Sequence, residues 1–347
     1  MRNSVKNAIT IFFILVGIVG MYYILREYKL ADILYVYRHF NFLILAIYFC
    51  VIFSLNCVLT WRWDVILKSR NIKVPFFKLL VYRIIGTAIN FITPGPRVGG
   101  EPTQATLLTK HGPEFTEGLS TIMIDKIIDV TTSGLLFLIG LFLVGVKYSF
   151  PRNAEIPLFI GGVIFVGLIG TFYARMLTSK HFFLHIFRFF GLGKTKIRWL
   201  NTLEKNIERI ELIMIEFYKH NKKAFLKSLG ISVISWVLMF VEYKLATTLL
   251  GINIGVAEIF FIVSFIGMAM LFPIPMAVGV LEAGQLSAFA LINLSANTAI
   301  ALAFFVRMKD ILIAIIGFIL LTTYGFHIGK VVENKYRVKK EKKESLR

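Results

Sequence analysis

Long apolar segments separated by short polar ones make up most of the chain. Because a helix needs about 20 apolar residues to cross the hydrocarbon core of a bilayer, each long segment predicts a membrane-spanning helix. Six such segments lie at 9–25, 41–60, 118–146, 156–174, 228–250 and 298–328.

Two shorter apolar segments, at 79–93 and 257–272, run directly into stretches rich in proline and glycine. A helix of about 16 residues rises about 24 Å, which is less than the roughly 30 Å of the hydrocarbon core. We therefore predict two re-entrant half-helices, each of which enters the membrane and turns back. The residues expected to form the turns are Pro94, Gly99, Gly100, Pro275 and Gly279.

The composition agrees with a membrane protein and excludes several other classes. Of the 347 residues, 57% are apolar and 17% are charged, whereas soluble domains have roughly 45–50% and about 25%. This excess of apolar residues is more than one hydrophobic core can bury, so a soluble enzyme, a disordered chain and a collagen-like fibre are excluded. The two cysteines, Cys50 and Cys57, predict neither a disulfide framework nor a metal site.

Basic residues predict the topology, because cytoplasmic loops accumulate Lys and Arg. Segment 61–78 carries five of them against one acid, 175–227 carries twelve against four, and 330–347 carries eight against three. All three segments lie on one side of the membrane only if the two short segments are re-entrant. We therefore expect six full spans in the cell membrane, with both termini in the cytoplasm. These loops also explain the net charge of +19, and we expect no nucleic-acid partner.

Apolar residues recur at spacings of three and four inside the basic segment 175–227, which predicts an amphipathic helix on the cytoplasmic side. Its apolar face contains Leu200, Leu203, Ile207, Ile210, Met214 and Phe217. This face could pack on the bundle or pair with a second copy of the chain. We favour packing, with a homodimer as the alternative.

An internal repeat relates the two short apolar segments and the helices that follow them. Adding 181 to positions 85–129 gives a gap-free match to 266–310. The matched polar or turn-forming residues are Pro94/Pro275, Glu101/Glu282, Gln104/Gln285, Lys126/Arg307 and Asp129/Asp310. By the loop charges, the first short segment enters the membrane from the cytoplasm and the second from outside. Inverted repeats of this kind are typical of secondary transporters, whose sites lie between the repeats on broken helices.

The predicted fold class is therefore all-α, a polytopic membrane helix bundle with two inverted-topology repeats, each containing a re-entrant half-helix hairpin. We expect a single membrane domain over 1–347. Its parts are an N-terminal helix and loop (1–40), repeat 1 (41–146) with a re-entrant part at 79–110, a linking span (156–174), a basic cytoplasmic amphipathic segment (175–227), repeat 2 (228–329) with a re-entrant part at 257–293, and a basic tail (330–347).

Charged residues inside the apolar segments are the main candidates for a binding site, since each costs roughly 2.5–3.5 kcal/mol at a helix centre. They are Asp125, Lys126 and Asp129 in the third long segment, and Arg307, Lys309 and Asp310 in the last. Residues three apart share a helix face. The cations Lys126 and Arg307 are therefore either neutralised by the aspartate three residues later, or project into a cavity towards an anionic lipid headgroup.

Two glutamates, Glu101 and Glu282, follow the turns and begin the returning half-helices. A carboxylate there stabilises the N-terminus of a helix. The glutamates could instead bind a coupling proton, or pair with the two cations. Gln104 and Gln285, one turn further on, would line the same wall.

Other polar residues carry less specific signals. Arg97 lies within the first turn and would face the same site. Glu242 lies in the segment 228–250, where Lys244 would balance its charge. His181 and His185 lie one turn apart, but without a nearby acid or third ligand we expect surface histidines rather than a metal site.

Three stretches carry a resemblance to a known family. They are Thr93-Pro94-Gly95-Pro96-Arg97-Val98-Gly99-Gly100-Glu101-Pro102, Asp125-Lys126-Ile127-Ile128-Asp129, and Pro273-Ile274-Pro275-Met276-Ala277-Val278-Gly279-Val280-Leu281-Glu282-Ala283-Gly284. They resemble motifs of the lysylphosphatidylglycerol synthase transmembrane-region family, which consists of flippase-like membrane proteins, and the resemblance covers nearly the whole chain. The chain departs from the pattern at Met276-Ala277, where a glycine pair is usual, and at Gln104, where Arg is expected. It has no soluble aminoacyl-transfer domain, so the resemblance implies a translocase-like module rather than a lysyl-lipid synthase.

These observations favour a lipid translocase that moves a polar or anionic lipid headgroup between leaflets by alternating access. The expected partners are membrane lipids with anionic or polyisoprenyl-phosphate headgroups. The first alternative is a non-catalytic membrane partner of glycosyltransferases or lipid-modifying enzymes, with the helix at 197–217 as its docking surface. The second is a membrane enzyme acting on a lipid-linked phosphate, although the sequence shows no metal-ligand motif and no obvious nucleophile. We therefore expect a non-enzymatic protein without cofactors.

Overall fold

The computed structural model describes residues 41–93, 99–147, 152–191, 198–269 and 280–344. All regular elements within these ranges are helices, which confirms the predicted all-α class. The predicted span at 9–25 lies outside them, as do the predicted site and turn residues Pro94, Arg97, Pro275 and Gly279.

Eleven helices and one short 3-10 turn follow one another along the described ranges. The helices are α1 (Phe42–Ser69), α2 (Phe76–Ile92), α3 (Gly100–Leu108), α4 (Phe115–Lys147), α5 (Arg152–Leu177), α6 (Phe183–Phe189), α7 (Arg198–His220), α8 (Lys222–Leu249), α9 (Val256–Ala269), α10 (Val280–Leu291) and α11 (Ala296–Glu344). The 3-10 turn, Thr109–His111, follows α3 directly.

Four of the described helices are long and apolar enough to cross a membrane. They are α1, α4 over Phe115–Leu143, α5 over Phe159–Leu177, and α8. They coincide with four of the six predicted spans, which confirms a multi-pass membrane protein. Large apolar side chains on these helices are exposed, among them Phe53, Phe142 and Phe159. Such extensive apolar surface is expected where lipid takes the place of water.

α1 and α11 extend furthest beyond the predicted boundaries. α1 continues to Ser69 rather than ending near 60, so Arg62 and Asp64 are buried helical residues and not part of a polar loop. The helix continues because both charges have partners; Asp64, for example, lies 2.6 Å from Nζ of Lys68 one turn later. α11 runs to Glu344 and includes most of the predicted basic tail, whose Lys, Arg and Glu residues favour helix.

α2 and α3 form a closely packed antiparallel hairpin. At its open end, the hydroxyl of Tyr82 in α2 lies 3.2 Å from Nε2 of His111, just after α3. At its closed end, Oδ1 of Asn90 accepts a hydrogen bond from the backbone N–H of Gly100 at 2.7 Å. A Cβ on Gly100 would overlap the carbonyl oxygen of Gly86, so glycine permits the close approach of the two backbones. No positive φ is needed at Gly99, where φ is −93°.

The helices of the two predicted repeats pack on each other in a crossed arrangement. α1 packs along α8, α2 against α11, and α9 against α4. Gly317 of α11 lies directly against Ile84 and Ala88 of α2, and the rings of Phe265 in α9 and Phe137 in α4 are 6.2 Å apart. The main apolar core joins α8, α9, α10 and α11 with one face of α1. Each half therefore contributes to the packing of the other.

The predicted amphipathic helix is α7, and the C-terminal half of its apolar face packs on the bundle, whereas Leu203 of the same face is exposed. Met214 and Phe217 are fully buried in a cluster with Phe172 and Met176 of α5. Glu211, buried on the same helix, accepts hydrogen bonds from backbone N–H groups at the start of α6, two of them at 2.7 and 3.1 Å. It thereby caps that short helix.

Candidate functional site

Two glutamate–cation pairs join the short helices α3 and α10 to the long helices that follow them. Glu101, in the first turn of α3, lies 3.4 Å from Nζ of Lys126 in α4. Glu282, in the first turn of α10, contacts Arg307 of α11 twice, at 2.9 Å from Nε and 3.3 Å from Nη2. The two pairs occupy equivalent positions of the internal repeat, because both members of each are related by the offset of 181.

The two pairs differ in how firmly the cation is held. Both glutamates are buried, whereas the side chain of Arg307 is 9% exposed and that of Lys126 is 29% exposed. The two contacts of Arg307 fix the orientation of its guanidinium group. The distance of 3.4 Å between Lys126 and Glu101 is longer than either contact of Arg307 with Glu282.

Buried polar atoms without partners lie beside both pairs. Asn90 donates to Oε1 of Glu101 at 3.2 Å, but Oε2 of Glu101 is buried and has no hydrogen-bond partner. In the second half, Gln285 is fully buried one turn after Glu282, and neither its amide oxygen nor its amide nitrogen has a partner. A buried unpartnered polar atom destabilises a protein by about 1–3 kcal/mol unless something else satisfies it. These atoms therefore have hydrogen-bonding capacity that the described residues leave unused.

The first ionic cluster consists of Arg62 of α1, Arg83 of α2, and Asp125 and Asp129 of α4. Arg62, only 2% exposed, donates to Asp125 at 2.6 Å and to Asp129 at 3.0 Å. Arg83 donates to the other oxygen of Asp125 at 3.0 Å. Arg62 also reaches the hydroxyl of Ser232 in α8 at 3.0 Å, so the cluster connects four helices. Its two positive and two negative charges balance.

The second ionic cluster consists of Glu242 of α8 with Lys309 and Asp310 of α11. Nζ of Lys309 lies 2.7 Å from Glu242 and 3.5 Å from Asp310. Tyr48 of α1 is buried beside this cluster, and its hydroxyl has no hydrogen-bond partner. Lys244, the predicted counter-charge of Glu242, instead donates to a backbone carbonyl just before α9 at 2.8 Å.

The partners of the charged residues differ from those indicated by spacing within one helix. Spacing places Lys126 beside Asp129, whereas the structure brings Glu101 of α3 to Lys126, as in the alternative in which the two glutamates pair with the two cations. Asp129 is bound by Arg62 of α1. In the second half, the carboxylate that contacts Arg307 likewise comes from another helix, α10. Contacts between helices thus neutralise these charges.

Arg62, Arg83, Asn90 and Tyr48 are absent from the residues that the sequence singles out. Arg83 lies inside the apolar segment 79–93, so its charge alone marks it as a residue that needs a partner. Arg62 follows the end of an apolar segment and therefore resembles a loop residue. Asn90 and Tyr48 carry no charge, and no pattern distinguishes them from other residues of their helices.

Metal binding finds no support in the described ranges, where no group of His, Cys, Asp and Glu is arranged to hold an ion. His181 does have an acidic neighbour, since its Nδ1 lies 3.1 Å from Glu211. This contact corrects the expectation of a histidine without a nearby acid. Because Glu211 caps α6 at the same time, the contact has a structural explanation.

The family model of the lysylphosphatidylglycerol synthase TM region matches residues 9–317, which include both glutamate–cation pairs and both ionic clusters. No solved structure matches the chain.

Three membrane proteins named UPF0104 are similar to this chain. The one from Methanothermobacter thermautotrophicus is 25% identical over 231 residues, which cover 64% of this chain and 68% of the relative. The one from Pyrococcus horikoshii is 27% identical over 296 residues, or 79% and 83% of the two chains. The one from Methanocaldococcus jannaschii is 34% identical over 113 residues, or 31% and 33%. With a family model that matches most of its length, the chain belongs to the lysylphosphatidylglycerol synthase TM region family of membrane proteins.

Proposed function

We propose that the protein is a translocase that moves a lipid with a polar or anionic headgroup between the two leaflets by alternating access. The observation that carries this proposal is the pair of equivalent contacts Glu101–Lys126 and Glu282–Arg307, one in each half of the chain. Membership of this membrane-protein family agrees with a lipid-related function.

The helix boundaries support two equivalent halves. Adding 181 to the first residues of α1, α2, α3 and α4 gives 223, 257, 281 and 296, and α8 to α11 begin at 222, 256, 280 and 296. The contacts between halves follow the same offset. Ile84 of α2 contacts Gly317 of α11. Adding 181 to the first position and subtracting 181 from the second gives positions 265 and 136, which should therefore also lie close together. The ring of Phe265 indeed packs on α4, at Phe137.

The directions of the helices support an inverted relation between the halves. Arg62, near the end of α1, reaches Ser232, near the beginning of α8. Nζ of Lys227 in the first turns of α8 lies 5.8 Å from the ring centre of Trp61, so the two helices run antiparallel. Because α8 is the counterpart of α1 under the offset, the second half would run opposite to the first, as in transporters with inverted repeats.

The position of the α2–α3 hairpin supports a re-entrant segment. Both of its ends lie on the side of the molecule where α7 packs. Arg70, before α2, contacts Glu216 of α7 at 2.6 Å, and Glu114, after α3, contacts Arg209 of α7 at 2.6 Å. The 17 residues of α2 rise about 25 Å, less than a full hydrocarbon core of roughly 30 Å. In our proposal the chain therefore enters and leaves the membrane from the same side.

The chemistry of the two pairs suits an anionic headgroup. Each cation is held by a buried glutamate, so its charge is balanced before a headgroup arrives, which avoids the cost of an unpaired buried charge. Phosphate oxygens accept the same hydrogen bonds as a carboxylate, and a guanidinium group binds two of them at once. A headgroup phosphate would displace Glu101 from Lys126 in one state of the cycle and Glu282 from Arg307 in the other. The amide of Gln285 would bind an uncharged polar part of the headgroup.

The alternative of a non-catalytic partner protein draws no support from α7. Its expected docking surface was the basic amphipathic helix at 197–217, which also has an apolar face. The C-terminal half of this face, with Met214 and Phe217, is buried against the bundle. We therefore retain the translocase as the proposal.

A lipid-scrambling assay in proteoliposomes tests the proposal. The probes are a fluorescent lipid with an anionic headgroup and one with a zwitterionic headgroup, and a quencher in the outer solution reports the fraction that has changed leaflet. The double variants Lys126→Met/Glu101→Gln and Arg307→Met/Glu282→Gln remove both charges of a pair, so no buried charge is left unpaired. We expect both to fold normally and to translocate the anionic probe no faster than protein-free liposomes.

The matched control applies the same chemical change to the exposed pair of Arg209 and Glu114, whose side chains are 59% and 65% exposed. The variant Arg209→Met/Glu114→Gln should keep wild-type translocation. Lys126→Arg should keep part of it, because the charge survives while the donor geometry changes. Full activity in both double variants of the buried pairs would exclude the phosphate site.

A further inference from the structure

We propose that the second ionic cluster, formed by Glu242, Lys309 and Asp310 beside Tyr48, binds one proton and that this proton couples lipid movement to a pH gradient. The inference rests on the proposed translocase function, but the proton site itself can be measured without any transport.

The charges of the two ionic clusters differ. In the first cluster, two arginines face two aspartates, so the sum is zero. In the second, Lys309 stands between Glu242 and Asp310, and the sum is one negative charge. A net charge is unfavourable inside a membrane protein, where the surroundings solvate it poorly. One proton would neutralise the second cluster, whereas the first needs none.

Asp310 is the carboxylate that we expect to accept the proton. Glu242 is buried and lies at hydrogen-bonding distance from the Lys309 ammonium, 2.7 Å away, whereas Asp310 has a longer ion contact of 3.5 Å with the same group. Its equivalent in the first half, Asp129, is bound by Arg62 at 3.0 Å. The side chain of Asp310 is also the more exposed of the two carboxylates, at 28% against 3% for Glu242.

Tyr48 provides a second, independent observation at the same place. It is 1% exposed, and its hydroxyl has no hydrogen-bond partner, although the charges of Lys309, Glu242 and Asp310 all act on it. A hydroxyl can donate to a carboxylate or accept from a carboxylic acid. The Tyr48 hydroxyl can therefore hydrogen-bond to a neighbouring carboxyl group in both of that group's protonation states.

Among the described residues, the other titratable groups that act on the cluster do not alter its charge balance. Tyr243 of α8 faces Lys309 and Glu242, and is neutral at ordinary pH. Arg307 of α11 also faces this side, but it is paired with Glu282 of α10. The ammonium of Lys309 would repel a metal cation, whereas a proton adds directly to a carboxylate oxygen. The step is the formation of one O–H bond with a proton taken from water.

The cluster is placed to connect protonation with lipid binding. Lys309 lies two residues after Arg307 on α11, and its partner Glu242 lies on α8, which packs along α1. When Asp310 is charged, Lys309 is shared between two carboxylates. When Asp310 is protonated, Lys309 is held by Glu242 alone. The contact between α8 and α11 therefore changes with the proton, next to the proposed phosphate site.

Infrared difference spectroscopy of the purified full-length protein tests the site directly. On acidification, we expect the carbonyl stretching band of a protonated carboxylic acid to appear in the wild type and to be lost in Asp310→Asn. Glu242→Gln removes the excess negative charge, so the same band should appear only at lower pH. The matched control is Asp129→Asn in the charge-balanced first cluster, which should leave the band unchanged. Size-exclusion profiles verify that each variant is folded.

Proteoliposomes with an imposed pH gradient test the coupling. The wild type should translocate the anionic lipid probe faster with the gradient than without it, and Asp310→Asn should lose this difference. A wild type without a titrating band, or a band that persists in Asp310→Asn, would overturn the proton site. Translocation that ignores the gradient would overturn the coupling while leaving the translocase function intact. A wild type without any translocation would refute the proposed function and the coupling, and the infrared result would still decide the site.

Discussion

Arg62 in the first ionic cluster allows a quantitative prediction about stability. The substitution Arg62→Met removes the guanidinium group but keeps a flexible apolar side chain about as long as the aliphatic part of arginine. It deletes hydrogen bonds to Asp125, Asp129 and Ser232, two of which go to carboxylates. A hydrogen bond to a charged group contributes about 1.5–3 kcal/mol, and breaking a buried ion pair costs about 3–5 kcal/mol. We therefore expect the free energy of unfolding to fall by about 3–5 kcal/mol.

The double variant Arg62→Met/Asp129→Asn separates charge from packing. It restores neutrality, because Arg83 still balances Asp125 at 3.0 Å. Relative to the wild type, the double variant then loses the equivalent of one or two neutral hydrogen bonds, so its free energy of unfolding should fall by about 1–2 kcal/mol. The double variant should thus be more stable than the single one.

Unfolding in mixed micelles, titrated with a denaturing detergent, measures these free energies. The control is Arg209→Met, which breaks an exposed ion pair and should cost no more than about 1 kcal/mol. A free energy of unfolding of Arg62→Met within about 1 kcal/mol of the wild type would refute a stabilising role of the buried ion pairs. A double variant no more stable than Arg62→Met would refute it equally.

Three further predictions concern the hairpin, the topology and pH. Gly100→Leu should insert normally but abolish translocation, since its side chain would overlap the backbone of Gly86; a wild-type rate would show that the turn is only a connector. Single cysteines placed at Lys73, Lys205 and Lys340 should be labelled only by a reagent applied to the cytoplasmic face. Labelling of any of them from the external face would contradict the inverted topology. Burial and the charges of Lys78 and Lys110 lower the pKa of His111, so the unfolded chain binds more protons and stability should fall as the pH drops through about 6.5. Thermal unfolding of His111→Gln should lack this decrease.

Part of this protein can be predicted from the sequence, because the relevant signals are local along the chain. The length of an apolar segment decides whether a helix can cross a bilayer. The hydropathy of the sequence therefore predicts the four membrane-spanning helices found among the described residues. The offset of 181 depends only on residue order, and it locates Glu101 and Glu282 in the first turns of α3 and α10. The spacing of apolar residues likewise predicts α7 and its buried face.

The partners of the charged residues depend on the tertiary structure. Spacing shows which residues share a face of one helix, but it cannot show which helix lies opposite that face. Arg62 resembles a loop residue until α4 and α8 surround it. For Lys126 the sequence leaves both Asp129 and Glu101 open as partners, and the structure brings Glu101 to it. In a membrane, a buried charge is tolerated only with a partner. Its identity is therefore decided by how the helices pack, which the one-dimensional pattern does not contain.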